Sequence, residues 1–121
     1  MIFLLDTTAL LVLSRLNITS LMLPTCEVLD VVVAECHHPK YLNAYEFVKL
    51  ARLQKIESLP SWAEEASDYR SPRTSFQDRL NIYYAKSRQR VIITESSCLS
   101  SIYRDQKIAT CSVQNFLQTL L

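Results

Sequence analysis

The chain has 121 residues, 49% apolar and 21% charged, with a net charge of +1. That suffices for one domain with a buried core, is too short for two, and gives no global field to attract nucleic acid. It contains no glycine, which excludes the G-x-G-x-x-G dinucleotide site and the P-loop, both of which need backbone close to phosphate.

Ile2 to Leu5 is a short, fully apolar run, as a central parallel strand requires. The run lacks the basic residues that precede a secretory signal core, and no apolar run approaches the roughly 20 residues of a bilayer span. Thr8 to Leu16 reads as a helix with Leu10, Leu11, Leu13 and Leu16 on one face, and Ile18 to Leu23 as a second helical piece before Pro24. Glu27 to Val31 is expected as the second strand, followed by a helix over Val32 to Cys36. A helix from Tyr41 to Gln54 carries Tyr41, Ala44, Val48 and Ala51 at helical spacing. Residues 55 to 59, "KIESL", form a candidate third strand, and residues 61 to 69 a short helix.

"DYRSPRT", residues 68 to 74, is polar, basic and proline-bearing, and reads as a loop. Ser75 is a natural N-cap for a helix through Lys86, with Phe76, Leu80 and Tyr83 expected inward. "VIIT", residues 91 to 94, is a β-branched buried strand. Ser96 or Ser97 then caps a helix to Asp105, "KIAT" at 107 to 110 is a weaker strand, and Ser112 caps a last helix through Leu120. Strands alternating with helices imply a parallel sheet of four to five strands covered on both faces, a three-layer α/β/α sandwich. The four cysteines (Cys26, Cys36, Cys98, Cys111) make no C-x-x-C pair, so reduced thiols in a cytoplasmic protein are expected.

On this layout Asp6 and Glu95 leave the C-terminal ends of strands, while Glu35 and Asp78 lie on helices that lean over the same rim. In open parallel sheets ligands bind at that rim, where the strand order reverses. Grouped carboxylates repel unless a cation neutralises them, and an all-oxygen set suits Mg²⁺ or Mn²⁺. Each acid also has a local reading. Asp6 fits an N-cap, Asp78 complements a helix dipole three residues after Ser75, Glu35 a solvated helix position.

"FLLDTTALLVLSRL", "VLDVVVAEC", "SFQDRLNIYYAK" and "VIITESSCL" resemble, in order and spacing, the segments of PIN-domain proteins, and "RDQKIAT" the approach to their last strand. The chain is similar over nearly its whole length to the VapC-type toxin ribonucleases. That resemblance implies a single PIN-like domain over residues 1–121 and a Mg²⁺- or Mn²⁺-dependent endoribonuclease. It places Asp6, Glu35, Asp78 and Glu95 as catalytic metal ligands, RNA as substrate, and a cognate antitoxin or a second copy of the chain as partners. The family carries aspartate one or two positions after the strand-end threonine; here Glu95 and Ser96 stand there. Glutamate keeps the charge but adds a methylene, so a catalytically impaired RNA- or protein-binding module is the alternative.

Thr8 is a candidate for orienting metal-bound water or phosphate, or else a helix cap. Arg70 and Arg73 are candidates for RNA phosphate contacts. His37 and His38 are expected to favour the negative end of a helix. Trp62 and the six tyrosines look scattered, with no base-stacking platform. A receiver-like phosphoacceptor domain needs an acidic pair after the first strand, where Thr7 and Thr8 stand.

Overall fold

The N-terminal apolar run forms β1 (Phe3–Leu5), at the centre of a sheet of five parallel strands in the order β3-β2-β1-β4-β5. The computed structural model describes residues 1–16, 23 and 25–120. β1 is followed by α1 (Thr7–Arg15), β2 (Cys26–Leu29) and α2 (Asp30–Glu35). A 3₁₀ turn (Pro39–Tyr41) leads into α3 (Leu42–Leu50) and the edge strand β3 (Gln54–Ile56). Next come α4 (Pro60–Ala66) with a 3₁₀ turn (Ser67–Tyr69), α5 (Phe76–Arg88) and β4 (Val91–Ile93). α6 (Ser97–Asp105), β5 (Thr110–Cys111) and α7 (Val113–Thr119) complete the described chain.

The strand alternation assigns the layers. Phe3 faces α7, its ring meeting Phe116 edge-on at 4.9 Å. Leu4 is in register with Glu27 and Ile92 and faces the other way, toward α5 and α6. α1 packs against α3 and α7 on the first face, and α4 against α5 on the second. Right-handed crossovers produce this split, because the chain runs from β1 to β3 in one direction and returns across the sheet to β4 and β5. The result is the expected three-layer α/β/α sandwich. Among the described residues no helix is long and apolar enough to cross a membrane.

Several boundaries move. β2 ends at Leu29, because Asp30 opens α2 with its carboxylate accepting from the Val31 N–H at 2.8 Å. α3 stops at Leu50, and Arg52 then takes a left-handed conformation (φ 57°) that no helix can continue. Lys107, expected to begin a strand, is left-handed too (φ 63°), so β5 starts only at Thr110. Phe76, expected inward, is 44% exposed at the first position of α5. The helical piece expected over Ile18 to Leu23 lies outside the described residues save Leu23, which is buried.

One buried ion pair ties the sheet to α5. Glu27 Oε1 on β2 accepts from Arg90 Nε at 2.7 Å and from the Tyr84 hydroxyl at 2.9 Å. Removing the cation alone strands a buried carboxylate, whereas replacing both partners with apolar groups does not. Arg90→Met should cost about 3 kcal/mol, the low end for a buried pair, because Arg90 keeps 20% of its side chain exposed. The double variant Glu27→Leu/Arg90→Met should recover most of that loss. Urea denaturation of the single and double variants measures both.

Candidate functional site

The strand order reverses between β1 and β4, and the backbone closes that seam beyond β1, with the Asp6 N–H donating to the Ile93 carbonyl at 3.2 Å. Asp6 is 0% exposed there and caps α1. Its Oδ1 accepts from the Thr8 hydroxyl at 2.7 Å and from the Ala9 N–H at 3.0 Å. Its Oδ2 accepts from the Tyr103 hydroxyl on α6 at 3.2 Å. Burial raises the Asp6 pKa above the usual carboxylate value, opposed by hydrogen bonds from Thr94, Thr8, Ala9 and Tyr103. Tyr103 is fully buried as well; its own pKa is driven up by burial, by the charge of Asp6 and by the charge of Asp78. The phenol therefore lies in the field of two of the predicted acids.

Thr8 spends its one hydroxyl proton on Asp6 and accepts from the Glu95 N–H at 2.9 Å. The Thr94 hydroxyl lies 3.2 Å from that of Thr8 and accepts from the Ser96 N–H at 3.2 Å. Thr8 thus fastens the end of β4 to the start of α1, which is the cap reading extended across the seam. Sequence reasoning had no signal for the Thr8–Thr94 contact, 86 residues apart.

The other acids each hold a separate partner. Glu35, exposed at the end of α2, accepts from the hydroxyl of Thr7, the neighbour of Asp6, at 2.9 Å. Asp78 and Ser75 form a reciprocal capping box at the start of α5: Asp78 Oδ2 accepts from the Ser75 N–H at 2.9 Å, and Ser75 Oγ from the Asp78 N–H at 3.1 Å. Glu95 is directed elsewhere, its Oε1 accepting from the Val113 N–H at the start of α7 at 2.6 Å. Ser96, at the position where the resemblance implies aspartate, is the N-cap of α6, accepting from the Leu99 N–H at 3.1 Å. Among the described residues no three His, Cys, Asp or Glu side chains converge closely enough to hold a metal ion.

Arg70 and Arg73 lie exposed in the loop before Ser75, on the side of Asp78. Asn81, one helical turn beyond Asp78, is fully buried with neither amide atom hydrogen-bonded among the described residues; nothing in the structure accounts for it. Trp62 packs on Tyr83 and Tyr84 as the core reading requires. A further aromatic contact involves Tyr45 of α3. His37 stacks on Tyr45 at 4.5 Å, and Lys49 lies 5.8 Å from the centre of the same ring.

Because the folded protein raises the Asp6 pKa, the carboxylate costs stability above its unfolded pKa, and that cost vanishes as pH falls and Asp6 takes up its proton. Asp6→Asn, which keeps the acceptor for Ala9, should therefore raise the metal-free melting temperature at neutral pH by roughly 4 °C per kcal/mol relieved. The gain should shrink as pH falls through the raised pKa. Thermal melts of both proteins across acid and neutral pH check the sign.

No family model matches the chain, and no curated protein does. Among solved structures it is similar to the crystal structure of PAE2754 from Pyrobaculum aerophilum, with a TM-score of 0.69 at 17% identity. The match covers 98% of this chain and 94% of that one, and at this identity it shows a shared fold.

Proposed function

We propose that the chain is a PIN-like, divalent-metal-dependent endoribonuclease. The observation that carries this reading is Asp6: a fully buried carboxylate with a raised pKa, at the switch point of a parallel sheet, where ligands bind. Glu35 is linked to that point through Thr7, and Asp78 through the field it exerts on Tyr103. Among the described residues one oxygen on each of Glu35 and Asp78 has no hydrogen-bond partner, and Asp6 is held by Thr8, Ala9, Thr94 and Tyr103. An all-oxygen carboxylate set of this kind fits Mg²⁺ or Mn²⁺ in chemistry, although among the described residues the three do not converge closely enough to hold an ion.

When bound there, the ion would supply an acidified water and neutralise charge at a phosphate. Asp6 is oriented for this by Thr8 and Ala9, which fix Oδ1 and leave Oδ2 facing Tyr103. Arg70 and Arg73 offer exposed cations for RNA phosphates beside Asp78. Glu95 serves α7 in this account and is not a ligand.

A second reading, an RNA-binding module that does not cut, is favoured by the closure of Asp6 under Tyr103 and by the capping roles of Glu95 and Ser96. Cleavage of RNA with Mg²⁺ or Mn²⁺, with and without EDTA, separates the two. The nuclease should cut only with the ion, and Asp6→Asn should lose more than about 100-fold, beyond the range of outer-shell changes. Tyr103→Phe removes the donor on Oδ2 and should tighten Mn²⁺ binding in a thermal-shift titration. An equal metal-induced shift in wild type and Asp6→Asn would overturn the assignment. RNA binding with no cleavage of any substrate would leave the module reading.

A further inference from the structure

A cavity of about 220 Å³ opens between α2, α3 and β3 on the α1 face of the sheet. Val33, Val48 and Leu53 make its apolar floor, Tyr45 one wall, and Lys49, Arg52 and Lys55 its charged lining. From this we infer that the cavity holds one base of a single-stranded RNA, with neighbouring phosphates on the three cations.

Size narrows the ligand first. Sites for drug-sized molecules begin near 300 Å³, so this one takes about a single ring system. Tyr45 supplies a flat surface already held in place, stacked on His37 with 17° between the ring planes. Stacked aromatics combined with tracking cations are how single strands are bound without regard to sequence. Charge narrows it further. Among the described residues Lys55 pairs with Glu57 at 3.4 Å, an exposed and weak contact, Lys49 lies over the Tyr45 ring 5.8 Å from its centre, and neither Lys49 nor Arg52 has a carboxylate partner. Glu46 is exposed on α3 but does not line the cavity.

Arg52 stands at a left-handed turn, a conformation that glycine adopts freely and arginine does not, as do Gln89 and Lys107 in this glycine-free chain. A larger cavity, about 270 Å³, also has cations, and two of its three, Arg90 and Lys86 but not Lys107, are committed. Arg90 there is bound to Glu27 and to the Arg88 carbonyl, Lys86 is bonded to Gln106 and lies over Tyr69, and the lining includes no aromatic wall.

Val33 lies two residues before Glu35 on α2, so this helix contributes both to the cavity and to the group of predicted acids. That RNA is the polymer rests on the function proposed above.

The test is binding of a fluorescent oligoadenylate in EDTA, followed by anisotropy at several salt concentrations. Arg52→Gly relieves the left-handed strain and should be at least as heat-stable as wild type, so weakened binding in it reports the lost cation. Combined with Lys49→Gln it should flatten the log–log salt dependence by about 1.4, or 0.7 per phosphate contact. Tyr45→Ala should weaken binding about tenfold. If Arg52→Gly/Lys49→Gln binds with unchanged affinity and salt slope, the assignment is overturned, whether or not the wild type cuts RNA. Full displacement of the oligomer by an equal concentration of AMP overturns it as well, in favour of a free-nucleotide site. Binding through this cavity by a protein that never cuts RNA supports the site and removes only the nuclease reading.

Discussion

The hydrogen bonds that Asp6 accepts from Thr8, Ala9 and Tyr103 hold the molecule together at its most demanding point. A parallel sheet in the order 3-2-1-4-5 must send the chain away from β1 on both sides, which leaves a crevice beyond β1 and β4. Filling that crevice with apolar side chains would be cheaper than filling it with a carboxylate. These donors, with Thr94, offset the desolvation only in part, since the Asp6 pKa remains raised. The same network, through Thr8, Thr94 and the Glu95 N–H, fixes where β4 ends and where α6 begins.

The parts of the fold that were legible in the sequence are those where local chemistry and burial agree. Phe3–Leu5 and Val91–Ile93 are buried on both faces, and their uninterrupted apolar runs say so. Ser75 with Asp78, and Ser112, are caps that need only three residues of context. The boundaries of α3 and β3 failed for a physical reason. Ala51 and Leu53 continue the apolar pattern, and the left-handed turn at Arg52 carries no glycine to mark it. Of the site, Asp6 was legible because a charge directly after a buried strand is conspicuous. Tyr103 was not, because an aromatic on an amphipathic helix reads as core, and its partner lies 97 residues away. The bond of Glu95 to the Val113 N–H was not legible either, since its donor lies 18 residues away on another element.

The lack of glycine has a structural consequence at the other end of the sheet. Three helix-to-strand joints, before β3, β4 and β5, turn through left-handed residues: Arg52, Gln89 and Lys107. Each costs on the order of 1 kcal/mol that glycine would not. In return each joint projects a polar or charged side chain near the N-terminal ends of the strands, and all three line cavities there. A chain with a net charge of only +1 thereby separates its charges, with Asp6, Glu35 and Asp78 toward one end of the strands and Arg52, Lys55 and Lys107 toward the other.

The scattered partners of the acids follow from the same electrostatics. Carboxylates near one another without a cation repel, and each of these has a hydrogen-bond donor of its own. Glu35 has the Thr7 hydroxyl, Asp78 the Ser75 N–H, and Asp6 the phenol of Tyr103. These three bonds are not equivalent to the fourth. Glu95 meets the first N–H of α7 at 2.6 Å, a charge-assisted bond to a group that no helical carbonyl would otherwise satisfy. Breaking it exposes a helix end as well as a carboxylate. The Tyr103 bond, at 3.2 Å, joins two groups whose burial already disfavours their charged forms, so Asp6 gains least from its partner there and most from a cation that replaces it. The weakest of the four restraints is the one on the most deeply buried acid, and that inequality makes Asp6 Oδ2 the point where an ion would first compete.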